Sequence, residues 1–261
     1  MVAVDVPPYP DGRNLLAGKN VVITAAAGSG IGFATAKRCA EEGARLVISD
    51  IHERRLGEAV DALREAGAQD PVGIVCNVTD EADVQALFAG AIDAMGHIDV
   101  MINNAGLGGT AELIDMEDAA WDMVLDVTLN GTMRCTRAAM RHMVGRGSGV
   151  IVNNSSVIGW RAQKGQSHYA AAKAGVMALT RCAALEVAEA GVRINCVAPS
   201  FASHPFLEKV SDPELLAQLE AAEAFGRGAE PWEVANVIVF LASDLSSYMT
   251  GEVVSVSSQH P

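Results

Sequence analysis

Positive charge is scarce in this sequence, which has 19 Lys and Arg residues against 32 Asp and Glu residues and a formal net charge of -13. An acidic surface repels phosphate backbones and anionic lipid headgroups. We therefore expect neither nucleic acid nor a membrane surface as a partner. An anionic cofactor is still compatible with this charge, because backbone N–H groups at a helix N-terminus can bind phosphate locally.

Long apolar runs are absent as well, since none approaches the ~18 residues that indicate a transmembrane helix. The first residues, MVAVDVPPYPDGRN, contain prolines and acidic residues instead of a positively charged segment followed by an apolar one. This pattern is not that of a signal peptide. We expect a cytoplasmic protein.

Metal and disulfide motifs are also missing. The five cysteines form no C-x-x-C pair and are interpreted as small core residues in a reducing compartment. The six histidines show no H-E-x-x-H or other ligand spacing, so we predict no metal site.

Short β-branched runs alternate with amphipathic segments along the chain. Apolar runs that are continuous and separated by helices are typical of a parallel sheet covered on both faces. We predict an α/β fold: a single domain over residues 1–261, with a doubly wound (Rossmann) parallel sheet of about seven strands and helices on both faces. The predicted strands are 20–24, 45–50, 72–77, 98–104, 149–155, 192–199 and 252–257, and the predicted helices are 31–42, 53–66, 80–95, 117–143, 168–189 and 231–243.

Residues 200–228 break this alternation with Ser, Pro and Gly around one helical stretch, DPELLAQLEAAEAF. Long insertions in compact domains are often lids over a site. We expect a substrate lid here.

The stretch TAAAGSGIG, Thr24 to Gly32, lies between the first predicted strand and helix, where a loop would bind phosphate. Its glycines follow G-x-G-x-G, not the G-x-G-x-x-G of the common dinucleotide fingerprint. Asp50 ends the second predicted strand, 20 residues after Gly30. A carboxylate there can accept both hydroxyls of an adenosine ribose and would repel a 2′-phosphate, which favours NAD over NADP. The arginines of HERR, 52–55, can alternatively bind that phosphate, but we interpret them as the solvated start of a helix.

Further polar motifs follow the later strands. NNAG occupies 103–106, Ser156 precedes Tyr169 by thirteen residues, and Tyr169 precedes Lys173 by four. With the Gly-rich loop and Asp50, these features resemble the short-chain dehydrogenase/reductase family over nearly the whole chain. TAAAGSGIG together with ISDIHERRLGE is most similar to actinobacterial members associated with steroid-ring catabolism.

The resemblance implies a nicotinamide cofactor and a homo-oligomer, a tetramer in which the helices near 117–143 and 168–189 pack between subunits. It also implies that Lys173 binds the nicotinamide ribose. The implied cofactor-binding residues are Ala25, Ala27, Gly28, Ser29, Gly30, Ile31, Asp50, Ile51, Asn77, Val78, Asn104, Ala105, Gly106, Tyr169, Lys173, Pro199, Ser200 and Ala202.

The chemistry of alcohol oxidation explains the choice of Ser156, Tyr169 and Lys173. A tyrosine hydroxyl has an ordinary pKa near ~10, and a nearby ammonium lowers that pKa by stabilising the phenolate. Positions i and i+4 share one face of a helix, so Tyr169 and Lys173 are neighbours. We predict that Tyr169 transfers the proton and that Ser156 hydrogen-bonds the substrate oxygen.

The chain departs from the family pattern T-G-x-x-x-G-x-G at the loop. Aligned on GIG, Ala25 and Ala26 stand where Thr and the first Gly belong. An alanine Cβ resists positive φ, so we expect Gly28 to adopt that conformation instead.

Two further departures lie elsewhere in the site. Thr128 stands where the family has a catalytic Asn that holds a water beside the lysine, and we expect its carbonyl or hydroxyl to serve. Asn130 is about 200° away round a helix and should not substitute. In PSFASH, Ser200 and His204 replace the Gly and Thr that follow the sixth strand in the family.

We therefore predict an NAD(H)-dependent oxidoreductase that interconverts a secondary alcohol and a ketone, on a bulky apolar or CoA-thioester substrate. His168, Trp160 and His204 are candidate pocket residues, and Arg161 and Lys164 a local basic rim for a CoA group. One alternative is an NADPH-dependent 3-oxoacyl-thioester reductase. Another is a non-catalytic NAD(H)-sensing protein, suggested by the altered loop and Thr128.

Overall fold

A computed structural model describes residues 4–203 and 213–258 of the chain. Its strands form one seven-stranded sheet in the order β3-β2-β1-β4-β5-β6-β7, and every neighbouring pair is parallel. The strands are β1 Asn20–Ile23, β2 Arg45–Asp50, β3 Val72–Val75, β4 Val100–Asn103, β5 Gly149–Asn154, β6 Val192–Pro199 and β7 Val253–Val256. The predicted doubly wound α/β sheet is therefore confirmed.

The described helices connect the strands and cover both faces of the sheet. They are α1 Ile31–Glu41, α2 Glu53–Glu65, α3 Glu81–Met95, α4 Asp118–Leu125, α5 Gly131–Val144, α6 Ser167–Val187, α7 Pro213–Ala222 and α8 Pro231–Ala242. Local chemistry sets some of the boundaries. The Asp80 carboxylate accepts from the N–H groups of Ala82 and Asp83 and so caps α3, while Pro231 begins α8 within a capping box.

The core has two layers because successive residues of a strand point to opposite faces. Val21 and Ile23 pack with α1, α2 and α8, whereas Val22 packs with α3, α5 and α6. Both layers are close to fully buried, which explains why the strand sequences are continuously apolar.

The predicted helix 117–143 is interrupted. Residues Asp126–Asn130 form a π-helical turn between α4 and α5. Such turns occur often at functional sites, and this one contains Thr128.

The predicted lid is described only in part, because residues 204–212, including His204, lie outside the described residues. Its helical stretch forms α7. Among the described residues, no helix is long and apolar enough to span a bilayer. Within the same residues, no three His, Cys, Asp or Glu side chains group closely enough to hold a metal. Cys182 is exposed on α6, so the prediction that all cysteines are core residues is wrong for this one.

Candidate active site

Two residues in the loop after β1 have a left-handed backbone conformation. Gly28 has φ 115°, as expected, but Ala25 also has a positive φ, of 50°. The expectation that alanine would avoid this conformation is therefore wrong. The left-handed region costs a non-glycine residue roughly 1–2 kcal/mol, and tertiary hydrogen bonds hold Ala25 in place: its carbonyl accepts from Asn104 Nδ2 at 2.9 Å.

The start of α1 is a suitable place for an anion. Gly30 is the N-cap and has no side chain to cap the helix, and no acidic residue occupies the first turn. The backbone N–H groups there are thus open to a phosphate. A Cβ at Gly32 would collide with the Ala25 carbonyl oxygen and the Asn104 amide, so this position requires glycine.

Asp50 ends β2 as predicted and is 7% exposed. Its carboxylate accepts from His52 N at 3.0 Å and from Ala27 N at 3.4 Å. Burial raises the pKa of the carboxyl above its ordinary value, and the Ala27 N–H and the nearby guanidinium of Arg55 act in the opposite direction. Because the carboxylate contacts the phosphate loop directly, the two halves of the predicted dinucleotide site are adjacent.

The two arginines of HERR differ. Arg54 pairs with Glu58 at 2.6 Å and its side chain is 82% exposed, in agreement with the solvated interpretation. Arg55 instead lies 3.7 Å from the Asp50 carboxylate with a side chain 37% exposed, so that interpretation is wrong for Arg55. A cation therefore stands beside the acid that is expected to choose the cofactor.

Hydrogen bonds join the NNAG turn to the phosphate loop and to β5. Thr24 Oγ1 accepts from the N–H groups of Asn104 and Ala105 at 3.0 and 3.1 Å. The Asn104 carboxamide oxygen accepts from Asn154 Nδ2 at 2.9 Å. Sequence reasoning assigned no role to Thr24 or Asn154, although Thr24 begins the stretch TAAAGSGIG and Asn154 lies in a predicted strand.

The other predicted cofactor residues follow the carboxyl ends of the strands, the edge at which doubly wound folds bind ligands. Asn77 and Val78 follow β3 by two and three residues, Ile51 follows β2 directly, and Ser200 follows β6. Ala202 forms an isolated bridge with Ala229, which ties the chain after β6 to the segment before α8. Contacts of these residues with a cofactor stay a prediction.

Ser156, Tyr169 and Lys173 come together where β5 ends and α6 begins. Ser156 caps a short 3₁₀ turn after β5: its hydroxyl accepts from Ile158 N at 3.3 Å and donates to the Pro199 carbonyl at 3.4 Å. Lys173 Nζ lies 5.5 Å from the centre of the Tyr169 ring and donates to the Asn154 carbonyl at 2.7 Å. The ammonium passes close to Gly106, where a Cβ would stand 3.3 Å from Nζ, so this glycine gives the lysine its room.

Burial dominates the acid–base properties of this group. It raises the pKa of Tyr169 to about 12, against a lowering effect of the Ser156 hydroxyl. It lowers the pKa of Lys173 from its ordinary 10.5 to about 8. The expected lowering of the tyrosine pKa by the Lys173 ammonium is not present in this arrangement. At neutral pH Tyr169 is a hydroxyl, which is a proton donor.

Thr128 is fully buried in the π-helical turn. Its hydroxyl accepts from Leu107 N at 2.9 Å and donates to the Leu107 carbonyl at 3.0 Å, so it is occupied by the backbone just after NNAG. The Thr128 carbonyl accepts from the Thr132 hydroxyl at 2.8 Å. Asn130 bonds Asp126 on the surface and takes no part, as expected.

The candidate pocket residues His168 and Trp160 differ in their exposure to solvent. His168 is 2% exposed and its Nδ1 has no hydrogen-bond partner, whereas Trp160 is 50% exposed. Sequence reasoning missed Ser155, whose hydroxyl donates to the Lys173 carbonyl at 2.8 Å and so ties α6 to β5. A serine beside another serine carries no separate signal in the sequence.

The chain is similar to known proteins over nearly its whole length. The family described as "Enoyl-(Acyl carrier protein) reductase" matches residues 25–258. A Mycobacterium tuberculosis protein, (5R,7aS)-5-hydroxy-7a-methyl-1-oxo-2,3,5,6,7,7a-hexahydro-1H-indene-carboxyl-CoA reductase, is 61% identical over 96% of each chain. A 3-oxoacyl-[acyl-carrier-protein] reductase of Thermotoga maritima is 41% identical over 92% of this chain and 97% of its own. A crystal structure of a short chain dehydrogenase from Mycobacterium smegmatis is 56% identical, with a TM-score of 0.88 over 98% of this chain and 99% of its own.

Proposed function

Because the chain belongs to the short-chain dehydrogenase/reductase family, we propose that it is an NAD(H)-dependent oxidoreductase that interconverts a secondary alcohol and a ketone. The observation that carries this proposal is the convergence of Ser156, Tyr169 and the buried Lys173 where β5 ends and α6 begins. A third reading, a sensing protein without catalysis, has to explain why this group is intact.

The residues divide the work as follows. In ketone reduction the Tyr169 hydroxyl donates its proton to the carbonyl oxygen, and in alcohol oxidation the phenolate accepts the hydroxyl proton. Ser156 holds the same oxygen by a hydrogen bond. Lys173, which donates to the Asn154 carbonyl, is expected to bind the nicotinamide ribose. A nicotinamide dinucleotide supplies or accepts the hydride when it is bound.

The substrate proposed is a fused-ring ketone or alcohol carried as a CoA thioester. Support comes from the 61% identity to a reductase whose name specifies a hexahydroindene-carboxyl-CoA. Lys164, a residue of the predicted basic rim, has a side chain 82% exposed that pairs with Glu112 at 2.7 Å. Such an exposed pair is weak, so an anionic ligand can compete with the glutamate for the ammonium.

The cofactor proposed is NAD rather than NADP, on the strength of the buried Asp50. The alternative, an NADPH-dependent 3-oxoacyl-thioester reductase, is favoured by one specific observation: the Arg55 guanidinium lies 3.7 Å from that carboxylate and suits a 2′-phosphate. The 41% identity to a 3-oxoacyl reductase points the same way.

One experiment separates these hypotheses. The purified protein is assayed at 340 nm with NAD(H) and NADP(H) against fused-ring alcohols and ketones, their CoA thioesters and a linear 3-oxoacyl thioester. Our proposal expects the highest kcat/KM with NAD(H) and a fused-ring CoA thioester. A preference for NADPH and the linear thioester would establish the alternative, and no turnover of any compound would support the sensing protein.

We further propose a cytoplasmic homotetramer with a lid near 200–228. Large apolar side chains on the two helices expected at the subunit interface support the assembly: Met123 on α4 is 54% exposed and Leu185 on α6 is 79% exposed. Light scattering coupled to size exclusion measures the mass directly. Slower hydrogen exchange in 200–228 with cofactor and substrate bound is the result expected of a lid.

A further inference from the structure

The backbone of the loop that follows NNAG, residues 107–111, is hydrogen-bonded at Leu107, Gly109 and Ala111, whose N–H donates to the Gly165 carbonyl at 3.0 Å. The Thr128 hydroxyl makes two hydrogen bonds with the backbone of Leu107. Farther along, Gln166 Nε2 donates to the Gly109 carbonyl at 2.8 Å. Between these anchors the loop is exposed, so its backbone forms part of a surface open to ligand.

Gly108 lies beside the ring of the proton-transferring tyrosine. A Cβ built at Gly108 would stand 3.7 and 3.8 Å from Cδ2 and Cε2 of Tyr169, which is ordinary van der Waals contact. A Cβ at the next residue, Gly109, would meet His168 Nε2 at 3.4 Å instead.

The backbone conformation does not require glycine at either place. Neither residue is among those with positive φ, and nothing would collide with an alanine at 108. What Gly108 contributes is therefore empty space along one edge of the Tyr169 ring.

We propose that Gly108 is a specificity-determining residue, because its missing side chain leaves room beside Tyr169 for the second ring of a fused-ring substrate. This inference rests on the proposed function. The substrate oxygen must reach the hydroxyls of both Tyr169 and Ser156, so the attached carbons extend past the tyrosine ring. A small alcohol ends before it reaches Gly108, whereas a fused ring system continues along the open edge.

The test compares one large and one small alcohol, decahydro-2-naphthol and 2-butanol, in the wild type, Gly108→Ala, Gly108→Val and Gly109→Ala. The measured quantity is kcat/KM for the large alcohol divided by kcat/KM for the small one, with NAD⁺ and with NADP⁺. We expect this ratio to fall by at least ~10-fold in Gly108→Val, less in Gly108→Ala, and by under ~3-fold in Gly109→Ala, which makes the same change toward His168.

Two results would overturn the inference: an unchanged ratio in an active Gly108→Val protein, including an equal loss of kcat/KM for both alcohols, or the same shift in Gly109→Ala. If Gly108→Val does not fold, Gly108→Ala decides the matter, since the structure has room for it. If the wild type turns over neither alcohol, the same ratio is measured with a fused-ring CoA thioester and a linear 3-hydroxyacyl thioester. No turnover of these compounds either would refute the proposed function and the inference with it.

Discussion

On the cofactor side of the sheet edge, side chains from three strand ends interlock: Thr24 holds the backbone of Asn104, and Asn104 bonds both Ala25 and Asn154. On the proposed substrate side, the backbone of the loop 107–111 is hydrogen-bonded at Leu107, Gly109 and Ala111, and Gly108 is exposed. We expect the interlocked backbone to suit a dinucleotide, whose pyrophosphate and nicotinamide are common to NAD and NADP. On our proposal, the substrate is instead selected by shape, through the space that the missing side chain of Gly108 leaves.

The interlock also explains where strain is stored. Ala25 stays left-handed because hydrogen bonds around it specify its position, with its N-terminal neighbour Thr24 and its carbonyl both bonded to the NNAG turn. Strained residues persist only when their surroundings over-determine them. No residue of the loop 107–111 has positive φ. We therefore expect substitutions on the cofactor side to lower the affinity for the dinucleotide. Substitutions in the loop 107–111 should instead change which substrates the protein prefers.

The largest effect is expected at Tyr169, where the two sides meet. Tyr169→Phe keeps the ring but removes the proton that is transferred, so kcat should fall at least ~10²-fold with little change in dinucleotide affinity. Steady-state kinetics and cofactor titration measure the two quantities. Tyr248→Phe is the matched control, since Tyr248 is fully exposed and lies far along the chain. Near wild-type kcat in Tyr169→Phe would refute its assignment.

Substitution of Asp50 tests whether the cofactor side discriminates between NAD and NADP as well as binding a dinucleotide. Repulsion of a 2′-phosphate in a partly desolvated cleft is worth on the order of 2–4 kcal/mol, or roughly 30- to 1000-fold in affinity. We expect NAD to be preferred in kcat/KM, and Asp50→Ala to narrow or reverse the preference because Arg55 is then released. Adding Arg55→Ala should cancel the reversal, while adding Arg54→Ala should not. A wild-type preference for NADP would mean that Arg55 governs this site.

Lys173 gives a pH dependence that reports its burial. Its pKa is lowered to about 8 in the folded protein, so the unfolded chain binds more protons between about pH 8 and its ordinary pKa of 10.5. The free energy of unfolding should therefore rise with pH in that range. Relative to Lys173→Met, the wild type should gain about 2 kcal/mol between pH 7 and pH 9.5. Urea unfolding at several pH values measures this, and parallel pH profiles of the two proteins would contradict a buried, depressed lysine.

Gly32 tests the rigidity of the interlock directly. In Gly32→Ala the new Cβ collides with the Ala25 carbonyl and the Asn104 amide, so the loop must move. We expect dinucleotide affinity to fall by about 10-fold, since overpacking typically costs ~1–3 kcal/mol. Gly57→Ala is the control, because a Cβ there contacts nothing within 4 Å. Unchanged affinity in Gly32→Ala would show that the phosphate loop is adaptable rather than rigid.

Thr128 should give the smallest effect. Its hydroxyl donates to and accepts from Leu107, and an asparagine amide offers both a donor and an acceptor. Thr128→Asn should therefore change kcat by less than ~10-fold, well below the loss in Tyr169→Phe. Thr128→Val, which can make neither bond, should be the more damaging change. A collapse of activity in a folded Thr128→Asn protein would point to a different proton relay.

Local patterns in the sequence are sufficient to predict a large part of the fold and several positions of the candidate site. Continuous apolar runs between amphipathic segments predict the parallel sheet, because strands buried on both faces cannot alternate. The spacing of Tyr169 and Lys173 predicts their proximity, because a helix brings residues four apart onto one face. The end of a strand predicts the position of Asp50, because parallel strands direct their carboxyl ends to one edge.

Only the tertiary structure decides what depends on chain segments far apart in sequence. The positive φ of Ala25 is held by Asn104, 79 residues away, and Thr128 reaches Leu107 from a π-helical turn that periodicity reads as ordinary helix. Arg55 turns toward Asp50 and Lys173 toward Asn154 because of neighbours that no local pattern specifies. The space beside Gly108 depends on the tertiary structure as well, because folding brings Tyr169, 61 residues later in the chain, next to this glycine.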